Sequence, residues 1–200
     1  MSWKNKAERR AITCSVSVCR SESGMKQSAS FLILIALAWL SSEAAADNQS
    51  IWQDWGPLLG TWVAEGKGAP GSGAGTFSFA YDLQKQVIVR KSHTDYPATA
   101  EHKAFAHDDL MIIYREQGTE KTRADYFDNE GHVIRYTTDI SGDKKTITFR
   151  SDPQPSQPAF RLTYNIDDNG RLGIKFEIAP PTAPEEFKVY VEGFAHKASG

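Results

Sequence analysis

From Gly60 to the C-terminus, apolar and polar residues alternate with period two in short runs, and turn-forming residues separate the runs. Alternation of this kind is the signature of half-buried strands, and helical periodicity is scarce after residue 60. The pattern predicts ten strands, at about Gly60–Gly66, Thr76–Asp82, Gln86–Ser92, Asp109–Arg115, Thr122–Phe127, His132–Ile140, Thr146–Ser151, Phe160–Ile166, Arg171–Ile178 and Phe187–His196. An earlier piece at Lys103–His107 is an open alternative for the start of the fourth. Asp128-Asn129-Glu130-Gly131, Ser141-Gly142-Asp143-Lys144 and Asp167-Asp168-Asn169-Gly170 read as tight turns. The prolines of Asp152–Pro158 cannot donate ladder bonds and mark a loop.

Nearly every link is short enough to join antiparallel neighbours. The expected fold class is therefore all-β: a ten-stranded antiparallel up-and-down barrel, whose closure removes the sheet edges. Around eight strands leave room for side chains or one small ligand, and the diameter grows with strand number. Ten strands predict a cavity unless large side chains fill it. Ahead of the barrel, Ser50-Ile51-Trp52-Gln53 has the form of a capping box and predicts a short helix stopped by Gly56-Pro57.

Upstream lies a leader. Gln27 to Ser42 carries no charge, Phe31–Leu40 is nearly all apolar, Lys26 precedes the run and Ala44-Ala45-Ala46 follows it. These are the parts of a secretory signal peptide with a cut after Ala46; the apolar run is short for a membrane span. Met25 is an attractive start, which makes residues 1–24 an upstream segment, 25–46 the signal peptide and 47–200 a single barrel domain. The expected destination is the periplasm or the exterior.

Both cysteines, Cys14 and Cys19, precede the cut, so the exported domain is expected to stand without disulfides. Of the 23 basic and 25 acidic residues, the first 46 positions hold 6 and 3. The remaining 17 and 22 leave a net charge of −5. This balance argues against a nucleic-acid partner, and against an anionic membrane partner once the signal is removed.

Leu58-Leu59-Gly60-Thr61-Trp62, the Gly66-Lys67-Gly68 that follows, and a last strand ending Tyr190-Val191-Glu192-Gly193-Phe194 resemble the calycin group. The pattern is most similar to nitrobindin-like haem-binding barrels and to bacterial lipocalin-like proteins. The resemblance implies that Gly60 and Trp62 close one barrel end and that a basic side chain from near the last strand covers the indole. Lys188 and Lys197 are the candidates, where the family often uses Arg. It also implies haem as a possible cofactor, with His196 in Phe194-Ala195-His196-Lys197 as the matching iron ligand; a solvent-exposed tail histidine is the competing reading.

Candidate ligand-binding residues come from the strands. Arg90 and Arg135 lie in runs with apolar residues on both faces, so their facing is open; an inward Arg is a fork for a carboxylate or phosphate. Tyr114, Tyr126, Tyr136 and Tyr164, with Tyr81, would give an aromatic, hydroxyl-bearing interior suited to an amphipathic guest. His93, His102 and His107 flank a polar link from Thr94 to Ala104, which could form a lid over the barrel mouth, but no pair has the spacing of a zinc motif.

Gly66-Lys67-Gly68-Ala69-Pro70-Gly71 fits G-x-G-x-x-G, yet Pro70 and another strand follow where a dinucleotide site needs a helix. Asn48-Gln49-Ser50 fits a glycosylation acceptor. No hydrolase motif is present, and no catalytic residue is assigned. The leading expectation is an exported lipocalin-like barrel binding a small hydrophobic or amphipathic molecule. The alternatives are a haem protein and a filled barrel serving as a structural or partner-binding envelope protein.

Overall fold

The computed structural model describes residues 51–65, 73–100 and 103–199. The leader, Ser50, Asn48 and the glycine-rich link after Glu65 lie outside the described residues, as does His102.

Ten antiparallel strands form one closed barrel: β1 (Gly60–Glu65), β2 (Ala74–Asp82), β3 (Val87–Tyr96), β4 (Phe105–Arg115), β5 (Thr122–Asp128), β6 (Val133–Ile140), β7 (Thr146–Ser151), β8 (Ala159–Ile166), β9 (Leu172–Ala179) and β10 (Lys188–Lys197). Each strand pairs with its neighbour in sequence, and β1 pairs with β10 to close the ring. Among the described residues no strand is left with an unpaired edge, which removes the usual template for aggregation.

The β3–β4 link departs from the sequence expectation. Strand β3 runs on to Tyr96 and β4 begins at Phe105, with ten register pairs from Val87↔Tyr114 to Tyr96↔Phe105. The first three residues of the expected lid, Thr94 to Tyr96, are thus strand, and the link between the strands is shorter than expected. Alternation in Ser92-His93-Thr94-Asp95-Tyr96 is polar on both faces, so hydrophobic periodicity fades while the ladder continues.

The N-terminal helix also differs. It is a 3-10 turn over Gln53–Leu58 that contains Pro57, and its first flanking residue is Trp52, without a side-chain cap. Pro57 is tolerated because so short a turn asks little of its missing N–H. The turn is held by burial: Trp55 meets Phe149 edge-on at 5.8 Å, and Trp52 meets Trp55 at 6.3 Å. An ion pair of Lys144 Nζ with Asp54 Oδ2 at 2.5 Å ties it to the turn between β6 and β7.

Trp62 lies at this same end. Its indole N–H donates to the Leu58 carbonyl at 2.8 Å, its ring stacks on Phe77, and Lys197 Nζ sits 5.3 Å from its centroid. Register explains the pairing, since Trp62 lies opposite Lys197 on β10. Lys188 is opposite Ile178, at the other end of the barrel. Gly60 enters β1 with φ +115°, a conformation that a side chain would resist.

Candidate functional site

The inward positions of the barrel change character along its axis. Toward the Trp62 end they are sealed: Ile88, Met111, Ile113, Tyr136, Phe149 and Tyr164 are at most 1% exposed. Further along the same strands, inward-facing Ser92, Tyr126, Ile134, Phe160, Ile174 and Phe176 are only half-buried. Side chains that face the inside of a closed barrel and still meet solvent mark its upper half as the more open one. Two aromatic pairs stand at this open end. Tyr96 stacks on Phe105 at 4.7 Å, and Phe160 stacks on Phe176 at 5.9 Å, with Tyr190 edge-on to Phe176.

Arg90 lies at the boundary between the two halves. It shares its face of β3 with fully buried Ile88 and half-buried Ser92, and is itself buried. Its Nη1 donates to Asp109 Oδ1 in an ion pair whose side chains are 10% and 7% exposed. Asp109 lies opposite Ser92, one inward pair along from Arg90 and Met111. The guanidinium carbon also sits 5.4 Å from the Phe77 ring centroid, a cation–π contact.

Three of the sequence-predicted tyrosines join it. Tyr126, Tyr136 and Tyr164 all point inward, and burial raises the pKa of each; Tyr164 is pushed up to about 12 against the opposing pull of the Arg90 charge. All three are therefore neutral phenols at physiological pH. Tyr164 packs 5.5 Å from Phe79 and 6.3 Å from Phe77, so it and Arg90 flank the same pair of rings. Two polar atoms here lack a well-formed hydrogen bond, Arg90 Nε and the Tyr164 hydroxyl, although the guanidinium lies close enough to that hydroxyl to oppose the rise in its pKa. A buried donor left unpaired costs about 1–3 kcal/mol, so such groups are conspicuous in a folded protein.

Above this floor, His107 faces the lumen and bridges two elements. Its Nδ1 lies 3.2 Å from Glu130 Oε1, its Nε2 lies 3.2 Å from the Tyr126 hydroxyl, and the Tyr126 hydroxyl donates to Asp128 Oδ2 at 3.2 Å.

Other predicted residues are placed elsewhere. Tyr114 shares the outward face of β4 with Ile112, and Arg135 is exposed on β6 between inward Ile134 and Tyr136. His93 is outward, with Nδ1 2.6 Å from Asp108 Oδ1. Tyr81 shares the inward face of β2 with Phe77 and Phe79.

Strand β10 carries a register shift between Val189 and Val191. Beyond it, Val191, Gly193 and Ala195 face in, opposite Phe176, Ile174 and Leu172. His196 consequently faces out, opposite Val63, with its Nδ1 3.5 Å from Glu65 Oε1 and its side chain 57% exposed. It does not fit the haem ligation that the resemblance implies for a group held inside the barrel. Of the described histidines, only His107 reaches the lumen.

The partnership of Arg90 with Asp109 was not foreseen from the sequence. The signal that could have found it is hairpin register: extending β3 and β4 symmetrically about their link places Asp109 beside Arg90 on one face.

No protein-family model matches this sequence, and no curated protein does. Among solved structures, the crystal structure of Rv2717c from M. tuberculosis is similar, with a TM-score of 0.50 at 16% sequence identity over 74% of this chain and 98% of that one. At such identity the likeness concerns the fold: a closed ten-stranded antiparallel barrel, consistent with calycin-like architecture. Function has to be argued from the site itself.

Proposed function

We propose that this protein is a container that binds one small hydrophobic or amphipathic molecule in the upper half of its barrel. The guest's apolar body lies against Ile134, Ile174, Phe160 and Phe176, and its polar end reaches down to Arg90 and the tyrosines. The observation that carries this reading is the axial gradient of burial: a sealed aromatic floor, a half above it whose inward side chains still meet solvent, and polar groups at the boundary between them. Such a combination of apolar walls and few convergent polar groups is the usual make-up of a small-molecule site. The leader supports export as part of the same proposal.

The test is to fill the lumen. An environment-sensitive hydrophobic fluorophore should bind the purified protein saturably, one per chain. Ile174→Trp should weaken that binding by about tenfold or more, with the circular dichroism spectrum and melting temperature preserved. Absence of saturable binding, together with an organic extract of the purified protein that contains no small molecule, would overturn the reading.

A further inference from the structure

We infer that the floor of the lumen selects a guest whose polar end is an uncharged hydrogen-bond acceptor, such as a ketone, ester or amide carbonyl, over a carboxylate. This inference rests on the proposed lumen site and adds its chemical preference.

Charge comes first. Arg90 would ordinarily attract a carboxylate, and a free guanidinium offers a two-pronged grip for one. Here Asp109 already takes Nη1, and both side chains are nine-tenths buried or close to it. An incoming carboxylate would meet the positive charge of Arg90 and the negative charge of Asp109 together. It would lose its hydration for little net attraction, and loss of hydration weighs heavily on an ion.

Hydrogen bonding comes second. The atoms left unpaired are Arg90 Nε–H, which only donates, and the Tyr164 hydroxyl, whose proton is free to donate. Tyr164 is 1% exposed and Arg90 9%, so bulk water does not serve them freely. They flank the same ring, Phe77, from two strands that are remote in sequence. An acceptor oxygen placed between them satisfies both and brings no charge. A guest that is a pure hydrocarbon leaves them both unpaired, and sites built this way discriminate against ligands that lack the matching group.

The experiment uses two ten-carbon probes, decanoate and the methyl ketone of the same chain length, titrated calorimetrically into the purified protein near neutral pH. The expected result is that the ketone binds about tenfold or more tightly than decanoate. Tyr164→Phe should weaken the ketone by about tenfold and leave decanoate little changed. In Asp109→Asn the order should reverse, because the charge of Arg90 is no longer offset; if that variant does not fold, Tyr164→Phe carries the test.

Decanoate binding as tightly as the ketone in the unaltered protein would overturn the inference. So would a Tyr164→Phe variant that binds the ketone normally, which would mean that the two unpaired atoms serve a resident water only. In either case the fluorophore would still bind, and the container reading would stand. Failure of the fluorophore and of both probes would overturn the two together.

Discussion

Arg90 holds its charge inside the barrel because Asp109 faces it from the neighbouring strand. A buried pair of this kind contributes little relative to an apolar replacement, but breaking it leaves an uncompensated charge. Asp109→Ala is therefore expected to lower stability by about 3–5 kcal/mol, and the double change Arg90→Leu with Asp109→Leu to recover most of that loss. Chemical denaturation of the four proteins checks this. On the outer face, Arg161 grips Glu177 with two bonds, Nε to Oε2 at 2.6 Å and Nη2 to Oε1 at 2.9 Å. Those hydrogen bonds hold the Glu177 pKa below its ordinary value of 4.5. A carboxyl depressed in the folded state contributes stability that is fully present above its unfolded value and fades as the pH falls through its folded value. Glu177→Gln should thus melt lower than the parent near neutral pH, with the difference shrinking below pH 4.5. Equal differences at neutral and acid pH would show that the pair does not act through charge. The facing of these residues was not legible in the sequence. Val87-Ile88-Val89 before Arg90 and Val133-Ile134 before Arg135 put apolar side chains on both faces, so period two alone cannot say which face is inside.

The elements at the closed end act as one plug. Trp62 is buried against Phe77, bonded to the Leu58 carbonyl and covered by Lys197, while Trp55 seals the neighbouring sector over Phe149. Burial and contact with the cation contribute unequally. Trp62→Ala removes a large buried ring and is expected to cost about 3–5 kcal/mol. Lys197→Ala removes a cation–π contact and is expected to cost about 0.5–1 kcal/mol. Urea titrations of both variants check the ratio, and a Lys197 effect as large as that of Trp62 would contradict it. The plug was readable in outline, because Leu58-Leu59-Gly60-Thr61-Trp62 stands at the entrance to the first strand. The choice between Lys188 and Lys197 was not, since it depends on which end of β10 meets the start of β1.

Across the molecule, the barrel is two halves with different occupancy and one continuous ladder. Closure leaves the strands paired throughout, while the large lumen side chains that are at most 1% exposed lie toward the Trp62 end. Local opening should follow packing density more than hydrogen-bond count. Amide hydrogen exchange is expected to be slowest at Ile88, Met111, Ile113 and Ala124, and markedly faster at Tyr96, Phe105 and Tyr190 near the mouth. A bound guest should slow the mouth and raise the melting temperature, because it stabilises the folded state alone. Uniform protection from floor to mouth would show that the upper half is packed after all.

The sequence by itself determined that this chain forms a barrel, and nearly where each strand begins and ends except at the β3–β4 link, where β3 runs on to Tyr96. Those are local matters: alternation, turn residues and proline positions act over a few neighbours. The tertiary structure alone decided which side chains share the lumen. Arg90, Asp109, Tyr126, Tyr136 and Tyr164 come from five different strands, and their meeting depends on register around a closed ring. A one-residue slip of β3 would turn Arg90 to solvent, and one of β4 would do the same to Asp109, and no local pattern records it. The same geometry turned Tyr114, Arg135 and His196 outward, and left the lumen two unpaired donors at its floor.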